Sequence, residues 1–238
     1  MTAFAGAHIT SDTMRLRFFA PAFIAILSST LIVSAAPKWT VLFDGKNADQ
    51  WRGFQREGFP SDCWVIENGT LRTLPKKPGP VDLITKENYT DFELELEWKV
   101  TPAANSGIIY RASEEFDHSW KTGAEYQVLD DELNGDGKDP KRSAGSLYAL
   151  IAPTNKKLKP VGEWNKARIV FQKNHVEHWL NGKKVVEYTW GSDELKDLIA
   201  KSKFSSMPKF ATESSGHICL QHHGGDVSFR KIRIRKLD

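Results

Sequence analysis

The sequence predicts an all-β sandwich of two antiparallel sheets with one short surface helix, because of its strand periodicity, its turn residues and its length. Residues 92–100 alternate strictly between apolar and charged side chains, which is the pattern of a strand with one buried and one exposed face. Asn68-Gly69 and Asn181-Gly182 each lie between apolar segments, where they suit tight hairpin turns. Many short strands separated by such turns indicate a sandwich or a barrel. A length of 238 residues fits one such domain with an N-terminal extension.

The individual elements follow from local patterns along the chain. Strands are predicted at residues 64–66, 70–73, 92–100, 106–112, 124–129, 146–151, 164–173, 175–180, 183–190, 217–221 and 227–236. One helix is predicted over 193–203, because Ser192 can cap it and Leu195, Leu198 and Ile199 form an apolar stripe. We expect this helix to pack outside the sandwich, away from catalysis. Segments 75–80 and 130–143 are predicted to be long loops.

The N-terminal extension has the order of features of a secretory signal. Arg15 and Arg17 precede an apolar run over 18–33, and small residues follow at 34–36. We therefore expect a signal segment at 1–36, a single domain at 37–238, and an exported protein in the periplasm or outside the cell. After cleavage we expect no stable membrane anchor; an uncleaved anchor is the alternative.

Composition limits the partners of the domain. The formal net charge is only +3, with acidic and basic residues interleaved, so the sequence does not predict a nucleic-acid-binding face. Cys63 and Cys219 are the two cysteines; in an exported chain they could pair, and in strands they could equally be buried free thiols. The sequence leaves the oligomeric state open.

Three strands carry polar side chains suited to catalysis. On strand 124–129, Glu125 and Gln127 share one face, but a glutamine at the second position argues against an ordinary carboxylate pair. On the strand at 217–221, Gln221 and the following His223 share a face, and imidazole can act as a base, an acid or a metal ligand. Arg111 has the same strand parity as Asn105 and could polarise a carbonyl. Exposed polar faces without function are the alternative for each.

The loop from Asp130 to Asp139 offers several oxygen ligands between glycines. Calcium prefers such oxygen-rich loops, although a solvated acidic loop has the same composition. We therefore consider Asp130 and His223 as candidate ligands of a divalent metal ion such as calcium, without predicting any cofactor as certain.

An ordered series of segments resembles a known family. It includes LFDGKNADQW from Leu42, LITKENYTDFELELEWKV from Leu83, NSGIIYR from Asn105, AEYQVLDDE from Ala124, and the closing HICLQHHGGDVSFRKIRIR from His217. The chain resembles the 3-keto-disaccharide hydrolase family, formerly a domain of unknown function, over nearly all of residues 37–238. One departure is His222, where the family usually has an aspartate before the histidine.

The resemblance implies a concanavalin A-like jelly roll whose concave sheet binds a carbohydrate oxidised at C3. A ketone at C3 acidifies the C2 proton, so a base can start an elimination at C1 that hydration completes. We expect Glu125 or His223 to be the base, with Arg111 or a divalent ion holding the enolate. Substrate hydroxyls would then be held by four residues: Gln127, Tyr148, Asn105 and Gln221. The alternatives are a non-catalytic carbohydrate-binding module and an ordinary glycoside hydrolase of the same fold.

Overall fold

The structure, a computed structural model, describes residues 1–7, 38–75 and 79–237. The chain divides into two units, Met1–Ala35 and Ala36–Asp238. From residue 8 onward, the predicted signal segment lies outside the described residues. Over the described ranges, no helix has both the length and the apolar character that crossing a membrane requires.

The second unit is built almost entirely of β-strands, with one α-helix among the described residues. The strands are β1 (Thr40–Phe43), β2 (Trp51–Gly53), β3 (Trp64–Glu67), β4 (Thr70–Thr73), β5 (Leu83–Thr85), β6 (Phe92–Val100), β7 (Asn105–Ala112), β8 (Ala124–Leu129), β9 (Asn165–Gln172), β10 (His175–Leu180), β11 (Lys183–Thr189), β12 (His217–Leu220) and β13 (Val227–Lys236). Helix α1 spans Asp193–Ala200. Short 3-10 turns lie at Ser119–Lys121, Gly135–Lys138, Pro140–Arg142 and Lys203–Ser206.

The strands form two antiparallel sheets, which confirms the predicted jelly-roll sandwich. The larger sheet has the order β11-β10-β9-β6-β13-β4-β3, with β1 paired to β13. The smaller sheet has the order β2-β5-β12-β7-β8. Besides consecutive strands joined by hairpins, each sheet pairs strands that are distant in sequence, such as β6 and β13 or β7 and β12, so the closing segment of the chain completes both sheets.

The apolar faces of the two sheets form a continuous core. On β6, Leu94, Leu96 and Trp98 are buried in it, and the smaller sheet contributes Tyr126 and Val128. The predicted alternation of β6 is therefore confirmed. Its three glutamates lie on the outer face and pair with arginines of β13.

The predicted hairpin turns are present at both Asn-Gly pairs. Asn68 and Gly69 have φ angles of 49° and 73°, and Asn181 and Gly182 have 49° and 81°. Both residues of each turn are left-handed, as two-residue turns between twisted strands require. These turns fix the register of β3 with β4 and of β10 with β11.

Two predicted elements differ from the structure. Residues 146–151 form a looped segment with isolated bridges, Tyr126 to Leu147 and Leu147 to Ile151, instead of a strand. Helix α1 ends at Ala200, three residues before the predicted end, and a separate 3-10 turn begins at Lys203. Residues 146–151 fold back on themselves at Leu147 beside β8, and Ser202 caps the 3-10 turn that follows α1, so apolar spacing alone gave the wrong bounds.

A second, smaller apolar cluster lies on the outer face of the smaller sheet. It consists of Phe54, Ile84, Ile109, Ala112 and Cys219. Cys63 is buried in the main core instead, and both cysteines are free thiols. The smaller sheet therefore has an apolar layer on each face, and the candidate site borders the outer one.

Candidate functional site

Two adjoining chambers lie on the outer face of the smaller sheet. The small chamber has a volume of about 140 Å³ and is lined by Asn105, Trp120, Glu125, Tyr148, Lys203, Gln221 and His223. The large chamber has a volume of about 560 Å³. Its lining includes Phe54, Gln55, Arg56, Asp82, Asp117, His118 and His222. Trp120, Gln221 and His223 line both chambers, so they mark the junction between them.

Glu125 is the carboxylate that lines the small chamber. Because β8 is regular, Glu125 points outward while its neighbour Tyr126 points into the core. Gly107 on the paired strand leaves the room it needs: a Cβ there would come within 2.3 Å of Glu125 Oε1. Burial raises the pKa of Glu125 to about 8, with nearby Lys203 opposing that rise. A carboxyl with such a pKa is suited to proton transfer near neutral pH.

Four other predicted residues join Glu125 in the small chamber: Asn105, Tyr148, Gln221 and His223. Asn105 begins β7, Gln221 directly follows β12, and His223 lies on the exposed turn beyond it. Gln221 is 7% exposed, and its Oε1 has no hydrogen-bond partner among the described residues. A buried acceptor without a donor is uncommon in folded proteins, and a substrate hydroxyl would satisfy it.

Tyr148 lines the small chamber as predicted, although its hydroxyl already has a partner. It donates a hydrogen bond of 2.9 Å to Asp136 Oδ2. Burial and the Asp136 carboxylate raise the pKa of Tyr148, so the phenol stays neutral. Its ring supports the Lys203 ammonium, whose Nζ lies 4.3 Å from the ring centroid. The ring of Tyr148 therefore forms part of the chamber lining and contacts the Lys203 ammonium, while its hydroxyl is occupied by Asp136.

Lys203 is the principal residue that sequence reasoning missed. We expected the segment over 193–203 to lie away from the site, but the 3-10 turn after α1 brings Lys203 into the small chamber. The side chain remains partly exposed and has no carboxylate within ion-pair distance among the described residues, and its partial burial lowers the pKa of its ammonium. No sequence pattern indicates this placement. Trp120 was also missed, because it lies in a turn and one tryptophan among eight carries no positional signal.

The turn that carries His223 is held by Asp82 and His222. Asp82 Oδ1 accepts a 2.8 Å hydrogen bond from the His222 amide, and Oδ2 accepts one of 2.5 Å from Ser119 Oγ. Burial raises the pKa of Asp82. Because Ser119 precedes Trp120, Asp82 connects the two segments that form the junction of the chambers.

Arg111 does not join this group, so the prediction that it converges with Glu125 is wrong. A register shift between β7 and β12 and a φ of 53° turn its side chain away. The guanidinium carbon lies 3.6 Å from the Phe171 ring centroid, and the side chain donates to the carbonyls of Thr90 and Glu213. Arg111 lines a separate cavity of about 790 Å³ beside α1.

Gln127 has the predicted strand parity but does not line either chamber. It is fully buried, its Nε2 donates to the Arg142 carbonyl at 3.1 Å, and its Oε1 accepts from the Val128 amide. The loop before Ser143 covers it. Gln127 therefore anchors that loop, and the expectation that it contacts substrate is not met by its position.

The carboxylate of Asp130 accepts hydrogen bonds from backbone amides nearby. The donors are the amides of Ala103, Glu132 and Leu133, at 2.7, 3.0 and 3.3 Å. This use of both oxygens suits a loop cap better than a metal ligand. Among the described residues, one group that could hold a metal ion is His175, Glu177 and Glu187, on the exposed hairpin of β10 and β11, far along the larger sheet. Lys184 already bridges both glutamates there.

The fold and the chambers together define a carbohydrate-active jelly-roll sandwich. A solved structure of a candidate glycosyl hydrolase from Parabacteroides distasonis is 31% identical, with a TM-score of 0.78 over 84% of this chain and 94% of that chain. A carbohydrate-binding module from Bacillus subtilis has a TM-score of 0.50 at 11% identity, covering 79% of this chain and 96% of that module, a likeness of fold alone.

Residues 38–235 match the family described as the 3-keto-alpha-glucoside-1,2-lyase-like domain, and the chain belongs to that family. A 3-keto-disaccharide hydrolase from Bacteroides thetaiotaomicron is 36% identical over 232 residues, covering 85% of this chain and 80% of that protein. The protein is accordingly a hydrolase acting on glycosidic bonds.

Proposed function

We propose that the protein hydrolyses the glycosidic bond of 3-keto-glycosides, including 3-keto-disaccharides, by elimination followed by hydration. The observation that carries the proposal is the composition of the small chamber. Glu125 is the carboxylate in its lining, and it faces the unpaired ammonium of Lys203. One base and one cation suit enolate chemistry, whereas ordinary glycosidases place two carboxylates across the scissile bond.

The proposed reaction needs four proton transfers. Glu125 removes the C2 proton, and the electrons form an enolate whose C3 oxygen is stabilised by the Lys203 ammonium. The enolate then expels the oxygen on C1, which takes a proton from His223 at the junction, and a C1=C2 double bond remains conjugated with the ketone. Water adds its oxygen to C1 and gives up a proton to His223, and Glu125, whose proton exchanges with the solvent, returns a proton to C2. The sum is hydrolysis, with one water consumed.

The description of the family and the name of the Bacteroides relative both fit elimination followed by hydration. The matching family is described as lyase-like, and the Bacteroides relative is named a hydrolase. Elimination alone is a lyase reaction, and elimination with hydration is a hydrolysis. The unpartnered Gln221 Oε1 supports the binding of a hydroxylated ring in the same chamber.

Isotope exchange at C2 tests the proposal. The protein is incubated in deuterated water with a 3-keto-glucoside, and separately with the unoxidised glucoside. We expect release of the aglycone from the oxidised substrate alone, with deuterium at C2 of the sugar from the first turnovers. Free 3-keto-glucose in the same buffer measures exchange without the enzyme. Release without deuterium at C2, or equal turnover of the unoxidised glucoside, would contradict the mechanism and favour an ordinary glycosidase.

Glu125→Gln tests the base directly, with Glu163→Gln on an exposed loop as the matched control. Loss of a general base typically costs about 10²–10⁴ in rate, and we expect a loss in that range for the first variant only. A variant that binds the 3-keto-glucoside and has wild-type turnover would remove Glu125 from this role. Binding by the wild-type protein without any turnover would favour a non-catalytic binding module.

We also propose that the protein is exported to the periplasm or the extracellular space, with the signal segment cleaved after Ala35. The basic pair, the apolar run and the small residues at 34–36 support this proposal. Mass analysis of the protein from separated cell fractions tests it. Intact protein confined to the cytoplasm would contradict export, and full-length protein in the membrane fraction would favour the uncleaved anchor.

A further inference from the structure

The two chambers differ in size in a way that bears on the substrate. The small chamber, at about 140 Å³, lies well below the roughly 300–1,000 Å³ of sites that enclose a drug-sized ligand. Tyr148 and Lys203 line it on the side of the α1 segment, and Asp136 holds Tyr148 there. The large chamber, at about 560 Å³, lies within that range. The small chamber therefore has room for one sugar ring, and the rest of a glycoside has to lie elsewhere.

The junction between the chambers contains the groups expected around a glycosidic oxygen. Trp120, Gln221 and His223 line both chambers, so a bond that passes between the chambers lies beside these three side chains. The proposed function places C2 and C3 of the oxidised ring near Glu125 and Lys203 and the C1 oxygen beside His223, so C1 faces the junction. The leaving group then extends into the large chamber.

The lining of the large chamber suits a polyhydroxylated or aromatic leaving group. Trp120 and Phe54 provide apolar surface, and His118 stacks on Trp120 with ring centroids 5.3 Å apart. Gln55 and Asp117 add hydrogen-bonding groups around these rings. Flat apolar surfaces with polar groups at their edges match the faces of sugar rings.

The binding surface continues beyond the large chamber. A further depression of about 590 Å³ is lined by Arg52, Glu57, Lys86 and Glu114, and it shares Gln55 and Arg56 with the large chamber. A leaving group longer than one sugar could therefore extend from the large chamber into this depression and contact its side chains.

From this geometry we propose that the large chamber is the binding site of the leaving group, and that the enzyme releases one terminal 3-keto sugar from a longer glycoside. The proposal rests on the proposed function, because it places the oxidised ring at Glu125. A sugar oxidised inside a chain would need room for a second substituent beside Tyr148 and Lys203, in a chamber of only about 140 Å³.

Rates on a matched set of substrates test the proposal. The set is methyl 3-keto-glucoside, a disaccharide oxidised at its non-reducing ring, and a trisaccharide oxidised at either its terminal or its central ring. Binding energy from a remote part of a substrate raises kcat/KM, and we expect the disaccharide to exceed the methyl glucoside by about tenfold or more. We expect the terminally oxidised trisaccharide to be hydrolysed and the centrally oxidised one to be at least about 100-fold slower.

His118→Ala tests whether the rate gain from the leaving group depends on the large chamber, with His175→Ala on the larger sheet as the matched control. We expect the ratio of kcat/KM for the disaccharide to that for the methyl glucoside to fall at least about threefold in His118→Ala and to stay unchanged in the control. Equal kcat/KM for the two substrates, equal rates on the two trisaccharides, or an unchanged ratio in His118→Ala would each overturn the proposal. No turnover of any 3-keto substrate would instead overturn the proposed function.

Discussion

Replacing Glu125 with glutamine should stabilise the protein in a pH-dependent way, while removing its activity. Burial raises the pKa of Glu125 from an ordinary value of 4.5 to about 8 in the folded state. Between these two pH values the folded protein binds the proton and the unfolded chain releases it, so the wild-type protein loses stability as the pH rises. Glutamine does not titrate, and the variant escapes this loss.

The size of the effect follows from the width of that pH window. One pKa unit corresponds to about 1.4 kcal/mol. Because Glu125 is already partly titrated at both ends of the range, a difference of roughly two and a half pKa units acts between pH 5 and pH 8, which predicts a cost on the order of 3 kcal/mol. Asp82 and Asp136 add to the pKa rise, and Lys203 opposes it. All other titrating groups are shared by the two proteins, so their contributions largely cancel in the difference.

Urea unfolding of both proteins at several pH values from 5 to 8 measures this difference without any substrate. We expect the free energy of unfolding of Glu125→Gln, minus that of the wild type, to increase with pH by on the order of 3 kcal/mol. Glu163→Gln supplies the background for loss of an exposed carboxylate. A difference that stays constant across the range would show that Glu125 titrates like a hydrated carboxyl, and the case for a buried base would be lost.

Four further predictions concern activity on a 3-keto-glucoside. Gly107→Ala should lower kcat/KM about 100-fold with little change in Tm, because the new methyl group displaces the flexible Glu125 carboxylate; wild-type activity would contradict this. Lys203→Met should lower kcat/KM by about 10²–10³, whereas Lys201→Met, on the same exposed segment, should not. The value of kcat/KM should rise with pH through about pH 8, because Glu125 then loses its proton. It should fall again at higher pH, where Lys203 loses its proton with a pKa below the ordinary 10.5. A flat pH profile would exclude both assignments. A chelator should leave the rate unchanged if Asp130 is only a loop cap, and a loss restored by calcium would show a metal requirement.

Strand parity predicted the part of the site that lies on regular strands. Because β8 keeps its alternation, Glu125 was placed correctly on the face opposite Tyr126. The same counting failed at Arg111, since a register shift between β7 and β12 changes which way the side chain points. A bulge of this kind depends on the partner strand, which is distant in sequence, so local periodicity cannot reveal it.

The remaining part of the site comes from segments whose position is set by tertiary packing. Lys203 follows α1 on a 3-10 turn, and Trp120 lies in another, so neither has a periodic pattern that aims it at the sheet. Gln127 shows the converse case: its face was predicted correctly, but a covering loop takes both ends of its amide. Sequence can place a side chain on a face of a sheet, whereas what covers that face depends on contacts between distant loops.

His222 illustrates how a departure from the family pattern can leave the site intact. Its Nδ1 accepts a 3.1 Å hydrogen bond from the Gly224 amide, so the ring proton lies on Nε2, which donates to the Leu74 carbonyl at 3.1 Å. Burial lowers the pKa of His222 and favours this neutral form. An aspartate could accept from the Gly224 amide, but it could not donate to Leu74. Since both bonds involve the backbone, the side chain at position 222 shapes the turn that presents His223, and a residue that holds the same turn can replace the usual one.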